Sequence, residues 1–305
     1  MRRKFRISTT LILIFMVLVT LGGCKQKVVE DTRPVAKGFI WEATSSNGEV
    51  VTLVGTMHPA PKTHILLNDK LKEILNNSDV LTVEVDIMAA SSTTNLQKSL
   101  YLKDGDNIEN YLSSEEISKL SEILMPYNQK IDSIKNLNPF GINQVLSANQ
   151  ISEIGFGSGS TDALLLTEAK GNKIEVDEIE GLGFQINLMN QIYTWDYLKD
   201  YINQYNEESK NKELEITEEL FENYVNSDID SAEKLEVNYR EEADKELYNL
   251  IATERNKNMA NRIDELIKDG KKRVVAVGYR HYIGEDSVLD YLEEKGYTIK
   301  KLEVE

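Results

Sequence analysis

Twice in this chain a short run of apolar, largely β-branched residues ends in glycine, with a histidine three positions beyond. Val50 to Val54 leads into Gly55 and His58, and Arg273 to Val277 leads into Gly278 and His281. Runs this short and this rich in valine read as buried strands. Glycine lets the chain turn sharply off such a strand. Each histidine is then presented from a loop at the carboxyl end of a strand, which is where open α/β sheets bind ligands. The feature points to an α/β fold: a central mixed, largely parallel sheet flanked by helices.

The segments around these runs agree. Phe39 to Ala43 and Glu49 to Val54, joined through Asn47-Gly48, read as a β-hairpin,. A helix is expected near 68–77, capped by Asn68 or Asp69, with Leu71, Ile74 and Leu75 on one face,. Val80 to Asp86 reads as a strand, so strand, helix and strand follow one another as in a βαβ unit. Ser91 to Thr94 reads as a loop, and apolar spacing suggests helices within 108–126 and 142–151,. Gly155 to Gly159 reads as a flexible break; no phosphate-loop lysine follows it, so it carries no nucleotide signature. A helix at 162–170 and a strand at 172–180 come next. Residues 186–245 read as a mostly helical, acidic insertion, with Tyr193, Trp195, Tyr197 and Tyr201 as helix packing beside a solvated acidic face,. One helix is expected over 242–268. Strand 273–278, a helix at 287–296 stopped by Gly296, and strand 297–304 form a second βαβ-like unit.

The amino terminus reads as an address. Arg2, Arg3, Lys4 and Arg6 precede an apolar run from Leu11 to Leu21, which ends in Leu21-Gly22-Gly23-Cys24. This is similar to a bacterial lipoprotein signal peptide of residues 1–23, after whose removal Cys24 carries the lipid. Residues 24–37 would be a tether and 38–305 the folded domain. The reading places the protein on the outward side of a bacterial cell membrane. Removing 1–23 takes away four basic residues and no acidic one, so acyl chains rather than a basic patch would hold it there. The net charge of −16 argues against a nucleic-acid partner,. A single cysteine excludes a disulfide framework and a multi-cysteine zinc site,.

Between the two histidine motifs lies Val83-Glu84-Val85-Asp86, where strand alternation would put Glu84 and Asp86 on one face,. A carboxylate in so apolar a run is costly unless paired or metal-bound. If the three strands are parallel neighbours, His58, Glu84 and His281 converge as a candidate divalent-metal site with positions open to water. The competing readings are satisfied loop histidines and a Glu84 paired with Lys or Arg. His64 lacks this context and reads as a surface residue or as one that supports the site residues from behind.

These residues resemble the TraB/PrgY/GumN/Tiki family, which is marked by two Gly-x-x-His motifs with an acidic strand motif between them. The matching segments are Val54 to Pro59, Val83 to Asp86, and Val277 to Tyr297. Thr253 to Ile263 also fits, with Arg255, Asn256 and Met259 in the pattern Arg-Asn-x-x-Met, as does Ile179 to Gln185, with Glu180 and Gln185. Asp162 stands where the family commonly has Gly-Val-Asp. The resemblance spans 38–305. It implies a fold similar to the erythromycin-esterase-like and haem-binding ChaN-like group. It also implies metal-dependent peptide hydrolysis with Mn²⁺ or Co²⁺, or Zn²⁺, and for some bacterial members the shutdown of peptide pheromones. His58, Glu84 and His281 become metal ligands or catalytic residues, with Glu84 or Asp86 as candidate base. Arg255 becomes the group that stabilises an oxyanion or grips a peptide terminus, helped by Asn256. Relatives often have small residues where this chain has Tyr279-Arg280, and Arg280 becomes a candidate for binding a substrate carboxylate. The implied partners are a peptide or protein substrate, and the membrane through the lipid. A non-catalytic, peptide-sequestering lipoprotein and, on fold analogy alone, haem or iron binding stay open.

Overall fold

The computed structural model describes residues 31–157 and 159–304. The expected signal segment, Cys24 and the first part of the expected tether lie outside the described residues. Among the described residues, no helix is long and apolar enough to cross a membrane.

The strands are β1 (Phe39–Thr44), β2 (Val50–Thr56), β3 (Ala60–Pro61), β4 (Val80–Val83), β5 (Phe156–Gly157), β6 (Glu175–Glu178), β7 (Arg273–Gly278) and β8 (Thr298–Lys301). Six of them form one sheet in the order β6-β4-β7-β2-β1-β8. β7 pairs in parallel with β2 and with β4, and β4 with β6. β1 runs antiparallel to both its neighbours. The fold is thus the mixed, mostly parallel α/β sheet that the valine-rich runs imply. β7, distant in sequence, inserts between β2 and β4, so all three end at the same edge.

The pleat sends alternate residues to opposite faces. Phe39, Trp41 and Ala43 of β1 and Val275 and Val277 of β7 pack with Met259 and Ile263 of helix Glu254–Leu266 and Leu292 of helix Val288–Glu294. Ile40, Val274 and Ala276 face the other way, onto Leu71 and Leu75 of helix Asp69–Asn76 and Leu165 and Leu166 of helix Thr161–Gly171. Both faces are covered, which is why these runs are apolar throughout rather than alternating.

The acidic segment supplies helices Leu182–Ile192, Trp195–Gln204, Glu207–Asn226 and Ile229–Glu242. Its aromatic residues pack on one another and on the rest of the chain: Tyr193 meets Tyr197 edge-on at 5.2 Å and stacks on Phe140 of helix Pro139–Glu153 at 5.8 Å.

Four local expectations change. Residues 91–94 lie inside helix Ala90–Ser99 rather than in a loop, since local propensity is a weak prior. The glycine-rich break at 155–159 holds β5, which pairs antiparallel with β3. The helix expected over 242–268 is interrupted: Ala243 is extended, Asp244 caps a new start, and a π turn spans Asn249–Thr253. β8 is parallel to β7, but β2 and β1 stand between them.

Candidate functional site

The shared edge of β2, β4 and β7 opens onto a pocket of about 140 Å³. His58 lies two residues past β2, Glu84 directly after β4, and His281 three residues past β7. All three line this pocket, with Arg255, Asn256 and Arg280. Neither glycine before a histidine makes a left-handed turn, since neither has positive φ, and only Gly55 is needed for close approach. A Cβ on Gly55 would stand 2.6 Å from the Tyr279 Cβ, and one on Gly278 would stand 3.4 Å from Glu84 Oε1.

Both oxygens of Glu84 accept hydrogen bonds. Its Oε1 accepts the Gly278 N–H at 2.7 Å, and its Oε2 accepts from Gln185 Nε2 at 2.9 Å and Arg255 Nη2 at 3.0 Å. The alternation expected through Asp86 is not continued, because β4 stops at Val83. Asp86 instead accepts from Lys170 at 2.8 Å and does not line the pocket.

Arg255 opens helix Glu254–Leu266 directly after the π turn. Its side chain is 3% exposed. Nε and Nη2 each donate to Glu180 at 2.8 Å, Nη2 also donates to Glu84, and Nη1 donates to the Ile251 carbonyl at 3.2 Å. Four of the five guanidinium N–H groups are committed, which leaves one on Nη1. Gln185 Nε2 bridges the two glutamates, at 2.9 Å from Glu84 and 3.0 Å from Glu180.

His281 is oriented by Asn256. Asn256 Nδ2 donates to the Asp286 carbonyl at 2.8 Å, which turns the amide oxygen towards His281 Nδ1, 2.6 Å away. Nδ1 therefore carries the proton and donates it, and Nε2 keeps a lone pair. Burial, reinforced by Arg255, pushes the ring's pKa down to about 3, so it is neutral at pH 7. His58 Nε2 lies 3.9 Å from Asp162 Oδ2, while Asp162 Oδ1 accepts from the Thr56 hydroxyl at 2.8 Å. Burial raises the Asp162 pKa; His58 opposes the rise and Glu84 adds to it.

A pH dependence follows from His281. It titrates near 6.5 in an unfolded chain and near 3 when folded, so between those values the unfolded chain holds the extra proton. Its contribution to stability is complete above about pH 6.5 and is lost as pH falls towards 3. In urea denaturation of metal-free protein, the midpoint is expected to drop further from pH 7 to pH 5 in wild type than in His281→Gln. Equal drops would overturn this assignment.

Arg280 already has a carboxylate partner. Its Nε donates to Glu236 Oε2 at 2.8 Å, its Nη2 donates to the same oxygen, and its guanidinium lies 4.9 Å over the Tyr239 ring. It ties the second histidine motif to helix Ile229–Glu242. His64 packs edge-on against Phe221 and does not line the pocket.

Whether these residues suit a divalent metal has a divided answer. His281 suits one directly, since a neutral, oriented imidazole with a free nitrogen is what a metal requires, and His58 offers the same donor type. Glu84 suits one less, because both its oxygens accept N–H groups and Arg255 is its counter-charge. Among the described residues, no three His, Cys, Asp or Glu side chains are gathered so as to hold one ion.

The helical segment and the π turn complete the wall, mostly with apolar residues: Leu188, Met189, Leu220, Tyr239 and Ile251, beside Thr217 and Glu236. Sequence reasoning gave none of these a role in the site. The only signal of the apolar ones is their spacing on otherwise acidic helices, which any packed helix shows. The pairing of Asp162 with Thr56 and His58 was equally invisible, since it joins residues far apart in the chain.

The model of the TraB/PrgY/gumN family matches residues 39–301. No curated protein and no solved structure matches the chain.

Proposed function

The chain belongs to the TraB/PrgY/gumN family, and from this and the pocket's geometry we propose that it is a peptide hydrolase, held by a lipid on Cys24 at the outer side of a bacterial membrane. The observation that carries the reading is the convergence of His58, His281 and Arg255 on one pocket whose remaining lining is mostly apolar. His281 presents an unprotonated Nε2, and Asn256 keeps it in that tautomer. The one uncommitted N–H of Arg255 is the donor available to a carbonyl oxygen that gains charge. Glu84 and Glu180 hold the guanidinium in place, so its position costs no reorganisation during reaction. The apolar wall limits water around these groups and strengthens their interaction with substrate.

His58 and His281 would hold a divalent ion, with Mn²⁺ and Co²⁺ the first candidates. Such an ion, when bound, polarises a carbonyl and lowers the pKa of water.

The test is to strip the purified protein with chelator and to supply Mn²⁺, Co²⁺, Zn²⁺ or no metal. Cleavage of a mixed peptide library is then followed by mass spectrometry. Metal-stimulated cleavage, lost in both His58→Ala and His281→Ala, is the expected result. Cleavage that persists without metal would keep the hydrolase and remove the ion. Cleavage unimpaired in either variant would overturn the site. The engagement of both Glu84 oxygens, with Arg255 as counter-charge, favours a second reading, peptide sequestration without catalysis; retained binding of intact peptides with no product in any metal would select it.

A further inference from the structure

We propose that the apolar end of this pocket is a side-chain specificity site, which selects peptides by one bulky aliphatic or aromatic residue next to the bond that is cut. The inference rests on the hydrolase reading and adds the substrate class to it. Leu188, Met189, Leu220, Tyr239 and Ile251 supply the wall, and all five are buried. They come from four separate segments of the helical region, so the wall exists only in the folded protein. The pocket is about 140 Å³, and a dry apolar cavity of about 150 Å³ accommodates a benzene ring. That volume includes the polar end, so the apolar end has room for no more than one branched aliphatic or phenyl side chain.

Charge points the same way. Both cations that line the pocket already have carboxylate partners: Arg255 with Glu84 and Glu180, and Arg280 with Glu236. An acidic substrate side chain would lose its water and find both cations already paired. An apolar one displaces water from apolar surface, which is favourable.

The test compares peptides that differ only at the residue next to the cleaved bond: Leu, Phe, Ala or Asp. Leu or Phe is expected to exceed Ala in kcat/KM by about 10–200-fold, and Asp to be the poorest. Leu188→Trp, which fills the pocket, is expected to move the preference towards Ala. Met189→Ala, which enlarges it, is expected to move the preference towards larger rings. Each variant's melting temperature verifies folding. A Leu-to-Ala ratio unchanged in both folded variants would overturn the proposal. Calorimetric binding of N-acetyl-leucinamide and N-acetyl-alaninamide reads the same site without turnover. Tighter binding of the leucine probe, weakened by Leu188→Trp, with no peptide cleaved, would keep the apolar site and sink the hydrolase. Equal binding of the two probes would overturn the apolar site.

Discussion

Arg255→Ala is expected to destabilise the fold by about 3–5 kcal/mol, because it leaves two buried carboxylates without their cation. Glu84 and Glu180 are 12% and 8% exposed, so solvent screens them little. Gln185 contacts both but brings no charge. Arg255 also ties the ends of β4 and β6 to helix Glu254–Leu266, so its removal loosens the sheet edge that carries the pocket. Urea denaturation monitored by circular dichroism measures the loss. Arg255→Lys, which keeps the charge but cannot reach both glutamates with a rigid fork, is expected to fall between wild type and alanine. A loss below about 1 kcal/mol, the value of an exposed pair, would show that water reaches the cluster and that Arg255 is not the anchor described above.

The second large effect falls on turnover. His281→Ala is expected to lower kcat/KM for a cleaved peptide by about 10²–10⁴-fold, the range for losing a positioned catalytic imidazole. Asn256→Ala is expected to cost about 10–100-fold, because the ring stays but loses the acceptor that selects its tautomer. Asn256 thus acts as a positioning residue, and the two variants differ in kind. With His281→Ala this ring is absent at every pH. With Asn256→Ala the residual activity is expected to show a shifted pH profile. If Asn256→Ala reduced activity as much as His281→Ala with an unchanged profile, the effect would be structural rather than tautomeric.

Glu84 shows how far the residues could be read in advance. An acid inside Val80 to Val85 has to be paired, and the chain's chemistry left a metal and an Arg or Lys as partners. In the structure the partner is Arg255, 171 residues away. Asp86 shows the opposite case. Its alternation with Glu84 assumed a strand that continued, whereas β4 ends at Val83 and Asp86 turns to Lys170. Arg280 likewise suggested a free cation beside the site, and Glu236 from the helical segment takes it up.

The sequence by itself determined the α/β class, the strand-end placement of His58, Glu84 and His281, and the family signature. Those properties rest on local pattern: valine runs that form buried strands, an Asn-Gly turn, and motifs at fixed spacing. Tertiary structure alone decided that β7 inserts between β2 and β4, that Arg255 is locked by Glu84 and Glu180, and that the acidic helices wall the pocket with Leu188, Met189, Leu220, Tyr239 and Ile251. Each of these joins residues far apart in the chain. Such contacts depend on how whole elements pack, and an amphipathic helix carries the same pattern whether its apolar face meets a core or lines a binding site.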